Sequence, residues 1–391
     1  MEYKLATNSW DSDEVTAIER VIKSNNFSMG EKVAEYERIF ASYIGSKYAL
    51  MVNSGSSANL LMIASLFFTK DENRRLKRGD EVIVPAVSWS TTFFPLQQYG
   101  LKVVFVDIDR ETLNMDLSQL EAAISDKTKL IFAVNLLGNC NDFKSIKSII
   151  DGKNITLLED NCESLGATYD GQMGGTFGLM GSYSSYFSHH ITTMEGGCVT
   201  TDDEELYHIL LTIRAHGWTR NLPKKNMVTG TKSDNSFEES FKFVLPGYNV
   251  RPLEMNGAIG IEQIKKLPDF IKVRRMNADH FKKSFMEHPF MDIQNEIGES
   301  SWFGFALIIK DGSNITREEV VNLLNKSNIE SRPIVTGNFL KNSEVLEYFD
   351  YRVFGSTINA EYIDENGLFV GNQQLDIRDE IDYLADVLSS I

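Results

Sequence analysis

The chain predicts an α/β fold: a large domain on a mostly parallel sheet, then a smaller α+β C-terminal domain. Short apolar runs alternate with helical patterns through its first half, the pattern of strand–helix units. A long charged helical stretch over residues 259–288 follows, and beyond it strand and helix signals begin afresh. Alternation of this kind covers both faces of a parallel sheet and puts ligands at strand C-termini.

In chain order, residues 49–52 read as the first strand and residues 60–68 as a helix. Asn53-Ser54-Gly55-Ser56-Ser57-Ala58-Asn59 forms a small-residue turn between them. Residues 81–85, 102–107, 129–136 and 156–160 read as further strands, and residues 116–124 as a helix. Trp89 follows the second strand, and Asp160 ends the strand at 156–160. Residues 205–216 form an amphipathic helical pattern. The stretch over 259–288, which Pro268 is expected to interrupt, divides the chain into domains of 1–258 and 259–391. The second should hold a strand over 302–310, a helix capped by Thr316 with Glu318 and Glu319, and a strand near 329–334.

Composition sets limits. The 391 residues are 42% hydrophobic, which leaves room for two buried cores. A formal charge of −16 argues against a nucleic-acid surface. No apolar run reaches membrane-spanning length, and Met1-Glu2-Tyr3-Lys4 opens polar without a signal-peptide core, so the expectation is a cytoplasmic protein. Cys140, Cys162 and Cys198 are scattered, which suits a reducing compartment and supplies no metal-type pair. An anionic ligand would need local cations: Arg220 with Lys224 and Lys225, or Arg332.

Chemistry gathers at the strand ends. A strand, a small-residue turn and a helix N-terminus present free N–H groups to a phosphate, although an ordinary N-cap reads the same way. A carboxylate ending a strand, such as Asp160, can pair with a protonated ring nitrogen. Further on stands Ser184, and then Ser188-His189-His190-Ile191 and Glu195-Gly196-Gly197. From Asn154 to Pro223 there is no lysine.

In that order, with Gly247-Tyr248-Asn249-Val250-Arg251 after them, these residues resemble the fold-type I sugar aminotransferases of the DegT/DnrJ/EryC1/StrS family. The resemblance runs from Phe27 to the C-terminus and implies a pyridoxal 5′-phosphate or pyridoxamine 5′-phosphate cofactor. The family carries its cofactor on a lysine at the position of His189. Imidazole keeps a base there and removes the covalent anchor, so the cofactor is expected to be bound non-covalently. The resemblance further implies that Gly55, Ser56, Ser57 and Ser184 hold the phosphate, Trp89 covers the ring and Asp160 meets its nitrogen. Glu163 stands near them where the family places a neutral polar residue, and its expected role is auxiliary. Asn249 would reach the phosphate of a neighbouring subunit, which implies a homodimer, and His216, Arg220 and Arg332 are candidates for substrate contact. No metal is expected.

Histidine for lysine predicts a changed reaction, and the resemblance implies which: loss of the C3 hydroxyl from a GDP-linked 4-keto-6-deoxymannose, with L-glutamate restoring the amine form of the cofactor. Three rivals stand beside it. A nucleotide-sugar 4-aminotransferase is opposed by the missing lysine. An iron–sulfur-dependent 3-dehydratase of CDP sugars is opposed by three cysteines where a cluster wants four thiolates. A scaffold without activity is opposed by retention of the turn, Trp89, Asp160 and Ser184.

Overall fold

The computed structural model describes residues 1–390. Its large sheet has eight strands in the order Tyr48–Val52, Gly197–Thr201, Met180–Ser184, Thr156–Asp160, Thr128–Val134, Glu81–Pro85, Lys102–Val106 and Tyr351–Val353. Only Gly197–Thr201 runs against the rest, so the sheet is mostly parallel. Side chains alternate across it: Val84, Phe105 and Leu130 enter one apolar core, while Ile83, Val104 and Ile131 enter another. Burial on both faces explains why these strands read as continuous apolar runs. Helix Gly55–Phe68 packs into the first core and buries Ala58, Leu61, Met62 and Leu66 completely.

A second, antiparallel sheet has the order Met291–Ile293, Gly304–Ile309, Gly367–Gly371, Ser331–Arg332. Its core joins Phe281, Phe285 and Phe305 to Tyr3 from the N-terminus. Helix Arg317–Lys326 has the expected capping box between Thr316 and Glu319. The strand expected near 329–334 is only Ser331–Arg332, because Pro333 has no N–H to extend the ladder.

One expectation fails outright. Pro268 does not interrupt the long helix, which runs unbroken as Glu254–Phe285. Proline removes one i→i−4 hydrogen bond, yet Ile264, Leu267 and Ile271 around it are buried. Packing against helix Glu31–Ile44 on that side holds the turn together. The helix also starts at Glu254, so the division after residue 258 falls inside its first turns. Tyr351–Val353, from the C-terminal side of that division, pairs with Lys102–Val106 in the large sheet.

Candidate active site

Strand ends of the large sheet and a face of the small one enclose a cavity of about 400 Å³. Gly55 and Ser56 enter it from the first turn of helix Gly55–Phe68, whose N-cap Ser54 accepts from Ser57 N at 3.1 Å. A Cβ on Gly55 would lie 2.8 Å from both Cys162 Sγ and Ser184 Cβ, so the turn approaches the strand ends closely because residue 55 is glycine. Ser56 Oγ lies 2.8 Å from Thr91 Oγ1. Ser57 donates its hydroxyl to Asn53 Oδ1 at 2.7 Å and does not line the cavity.

Asp160 ends its strand in this space, 5% exposed. Its Oδ2 accepts from Asn59 Nδ2 at 2.8 Å and Thr92 Oγ1 at 2.7 Å, and its Oδ1 from Cys162 N at 3.2 Å. These donors fix the carboxyl group. Asn59 and Thr92 escaped the sequence reading, though spacing carries the signal: Asn59 lies four residues after Gly55 on one helix face, and Thr92 three after Trp89. Trp89 caps helix Ser90–Gln98 and leaves 57% of its surface exposed at the cavity. Glu163 also lines the cavity and accepts from Leu137 N at 3.0 Å. Burial, reinforced by the nearby Asp160 charge, pushes its carboxyl up to about 7, opposed by the Leu137 bond.

His189 follows Ser184 in the loop after strand Met180–Ser184, and both line the cavity. The His189 ring lies edge-on to Phe303 at 5.1 Å and to Tyr186 at 6.0 Å, and its Nδ1 has no hydrogen-bond partner. Burial first, and the Arg274 guanidinium second, push the imidazole down to about 4, so it stands neutral. His190 turns elsewhere, its Nε2 3.2 Å from Ser301 O. Arg332 reaches the cavity from the small sheet, beside Pro333 and Val335. No lysine lines it.

The remaining candidates lie outside. Asn249 is exposed and accepts from Arg251 Nε at 2.9 Å. His216 packs 4.8 Å from the Trp218 ring, and Arg220 lies 5.9 Å from that ring. Asn53 N donates to Val250 O at 3.0 Å, which ties this second group to the turn at the cavity's edge. The residues fit a phosphorylated pyridine: a helix N-terminus for the phosphate, a fixed carboxylate for the ring nitrogen, an exposed indole and an unpartnered imidazole nitrogen.

The chain is 66% identical over 388 residues to GDP-4-keto-6-deoxy-D-mannose 3-dehydratase of Escherichia coli O55:H7, covering 99% of this chain and 100% of that protein. A solved structure of the E. coli GDP-4-keto-6-deoxy-D-mannose-3-dehydratase with bound hydrated PLP superposes with a TM-score of 0.98 at 65% identity, covering 99% of each chain. A structure of GDP-4-keto-6-deoxymannose-3-dehydratase with a trapped PLP-glutamate geminal diamine gives the same score and identity over 99% of this chain and 100% of that one. The description of the DegT/DnrJ/EryC1/StrS aminotransferase family matches residues 8–368. With a match of that length, the chain belongs to the DegT/DnrJ/EryC1/StrS aminotransferase family.

Proposed function

We propose that this chain removes the C3 hydroxyl of GDP-4-keto-6-deoxy-D-mannose, giving GDP-4-keto-3,6-dideoxymannose and ammonia, and that L-glutamate then returns the cofactor to its amine form. The observation that carries this reading is a cavity of about 400 Å³ that holds Asp160 and Ser184 and is lined by an imidazole and, among the described residues, by no lysine. Similarity to dehydratases of that substrate supports it. Bound pyridoxamine 5′-phosphate would supply the amine that condenses with the C4 ketone and a ring that withdraws electrons.

Each side chain has a separate task. Asp160 would keep the ring nitrogen protonated, while Gly55, Ser56 and Ser184, which line the cavity, would hold the phosphate and Trp89 would cover the ring. His189, neutral, takes the proton at the carbon bearing the amine and delivers it to the departing C3 oxygen. Acid–base help of this kind is worth roughly 10²- to 10⁴-fold. Lysine at this point would capture the cofactor and protonate the sugar carbon, leaving an amino sugar. Arg332 gives the acidic chain a cation for the substrate's phosphates.

Asn249, His216 and Arg220 act, in this reading, from a second copy of the chain. Phe27, Tyr186, Phe187, Met194 and Leu253 are each at least 44% exposed, an apolar surface that a homodimer would cover. The three cysteines are free, which fits work in the cytoplasm. Incubation with GDP-4-keto-6-deoxymannose, glutamate and pyridoxal 5′-phosphate tests the activity. Ammonia release with a sugar lighter by one oxygen is expected; a 4-amino sugar would overturn it.

A further inference from the structure

Behind the imidazole pair lies a charge that no carboxylate meets among the described residues. Arg274, on helix Glu254–Phe285, is 3% exposed. Its Nη1 donates to the carbonyls of Trp302, Phe303 and Asn372 at 3.3, 3.2 and 2.8 Å, and its Nε has no partner. Burial alone pushes this guanidinium down to about 10; no acid offsets it. The backbone it grips is the one that faces the histidines. Ser301 O meets His190 Nε2, and the Phe303 ring lies 5.1 Å from His189 and 5.8 Å from His190.

An imidazole that works as a base is commonly backed by a carboxylate, which fixes its tautomer and strengthens it. Here the arrangement is reversed. Nδ1 of His189 and Nδ1 of His190 are both unpartnered, and the buried charge behind them is positive. Asp160, Glu163 and Glu195 line the cavity with His189, as do Cys162, Tyr186 and Arg332, yet burial and Arg274 are what act on His189.

We propose that Arg274 is a positioning residue for this site, holding an unneutralised cation behind Phe303 and fixing the carbonyls of Trp302 and Phe303 against the two imidazoles. The proposal rests on the reading of His189 as the proton carrier. The proton His189 accepts from carbon is the one it gives to the C3 oxygen, which leaves as water with the C–O electron pair. A cation behind the imidazolium drives that second transfer.

The test compares the holoenzyme with Arg274→Met and Arg274→Lys, using ring-labelled histidine and nuclear magnetic resonance. The chain has six histidines, and His189→Asn assigns the signal. In the wild-type protein His189 should stay unprotonated down to roughly pH 5, well below the ordinary histidine value. Arg274→Met should raise its titration by roughly one unit and move the acid limb of kcat/KM with it, whereas Arg274→Lys leaves both in place. An active Arg274→Met with an unmoved limb, or a wild-type His189 titrating near roughly 6.5, overturns the proposal. Should Arg274→Met fail to fold, Arg274→Gln, which removes the charge and keeps a donor, is read in the same way. Persistence of dehydration in His189→Asn would instead defeat the proton-carrier reading, and the titration would judge the Arg274 charge independently.

Discussion

At the scale of single residues, His189 separates this site from a lysine-bearing one. His189→Asn keeps size and polarity without a basic nitrogen, so cofactor binding should survive while sugar dehydration falls roughly 10²-fold or more. Normal dehydration in that variant would move the role to Glu163, the cavity carboxyl that burial pushes up to about 7. His189→Lys restores an amine: borohydride should then fix the cofactor on residue 189, where the wild-type protein yields no adduct. Much of this site was legible in advance. Asp160 and Glu163 come at the end of a strand the apolar pattern reveals, whereas strand Met180–Ser184, which leads to His189, went unread and the residues there were found by resemblance. Arg274 was not legible, because a lone arginine in a charged helix looks like a solvated side chain until burial is known.

At the scale of elements, close approach sets the limits. Gly55→Ala is a favourable change for an isolated helix. Here its methyl would meet Cys162 Sγ and Ser184 Cβ at 2.8 Å and push the turn off the strand ends. The expected result is weakened cofactor retention with little change in the unfolding temperature; unchanged retention would count against a phosphate site there. Behind the cavity, Glu159 is fully buried and accepts three backbone N–H bonds, from Gly175, Phe177 and Gly178, each at 2.6 Å. Glu159→Gln sets an amide donor among donors, and should cost roughly 1–3 kcal/mol in urea unfolding. Five strands of the large sheet were readable to within a residue or two because burial on both faces makes them continuous apolar runs, while Met180–Ser184, Gly197–Thr201 and Tyr351–Val353 carry no such run and went unread. Pro268 misled for a physical reason: a local rule about a missing N–H carries no knowledge of the helices packed alongside.

At the scale of the whole molecule, two properties can be measured without substrate. Homodimerisation should appear in sedimentation, and Asn249→Ala should weaken cofactor retention more than folding; a fully active monomer would exclude the shared site. Acid should also weaken the fold through its buried histidines, against the opposite pull of Glu159 and Glu163, whose carboxyls burial pushes up to about 7. His189 is held down to about 4 and His190 well below its ordinary value, both chiefly by burial. Between roughly pH 6.5 and 4 the unfolded chain therefore binds protons at these two imidazoles that the folded chain refuses, and their contribution to stability falls as pH falls. Part of that slope should vanish in His189→Asn when melting temperatures are compared across the window.

Strand Tyr351–Val353 carries a last consequence, for how the protein is made. It completes the edge of the large sheet beside Lys102–Val106, while Tyr3 waits to enter a core whose strands span residues 291–371. Neither end of the chain can settle until nearly all of it has left the ribosome. We therefore expect stalled nascent chains ending near residue 340 to be cut readily by protease in the Lys102–Val106 strand, and chains carried beyond residue 371 to resist. Early resistance in the short chains would show that the sheet forms without its closing strand. Until synthesis passes that point, the exposed edge is free to pair with another unfinished chain, and translation speed decides how long that hazard lasts.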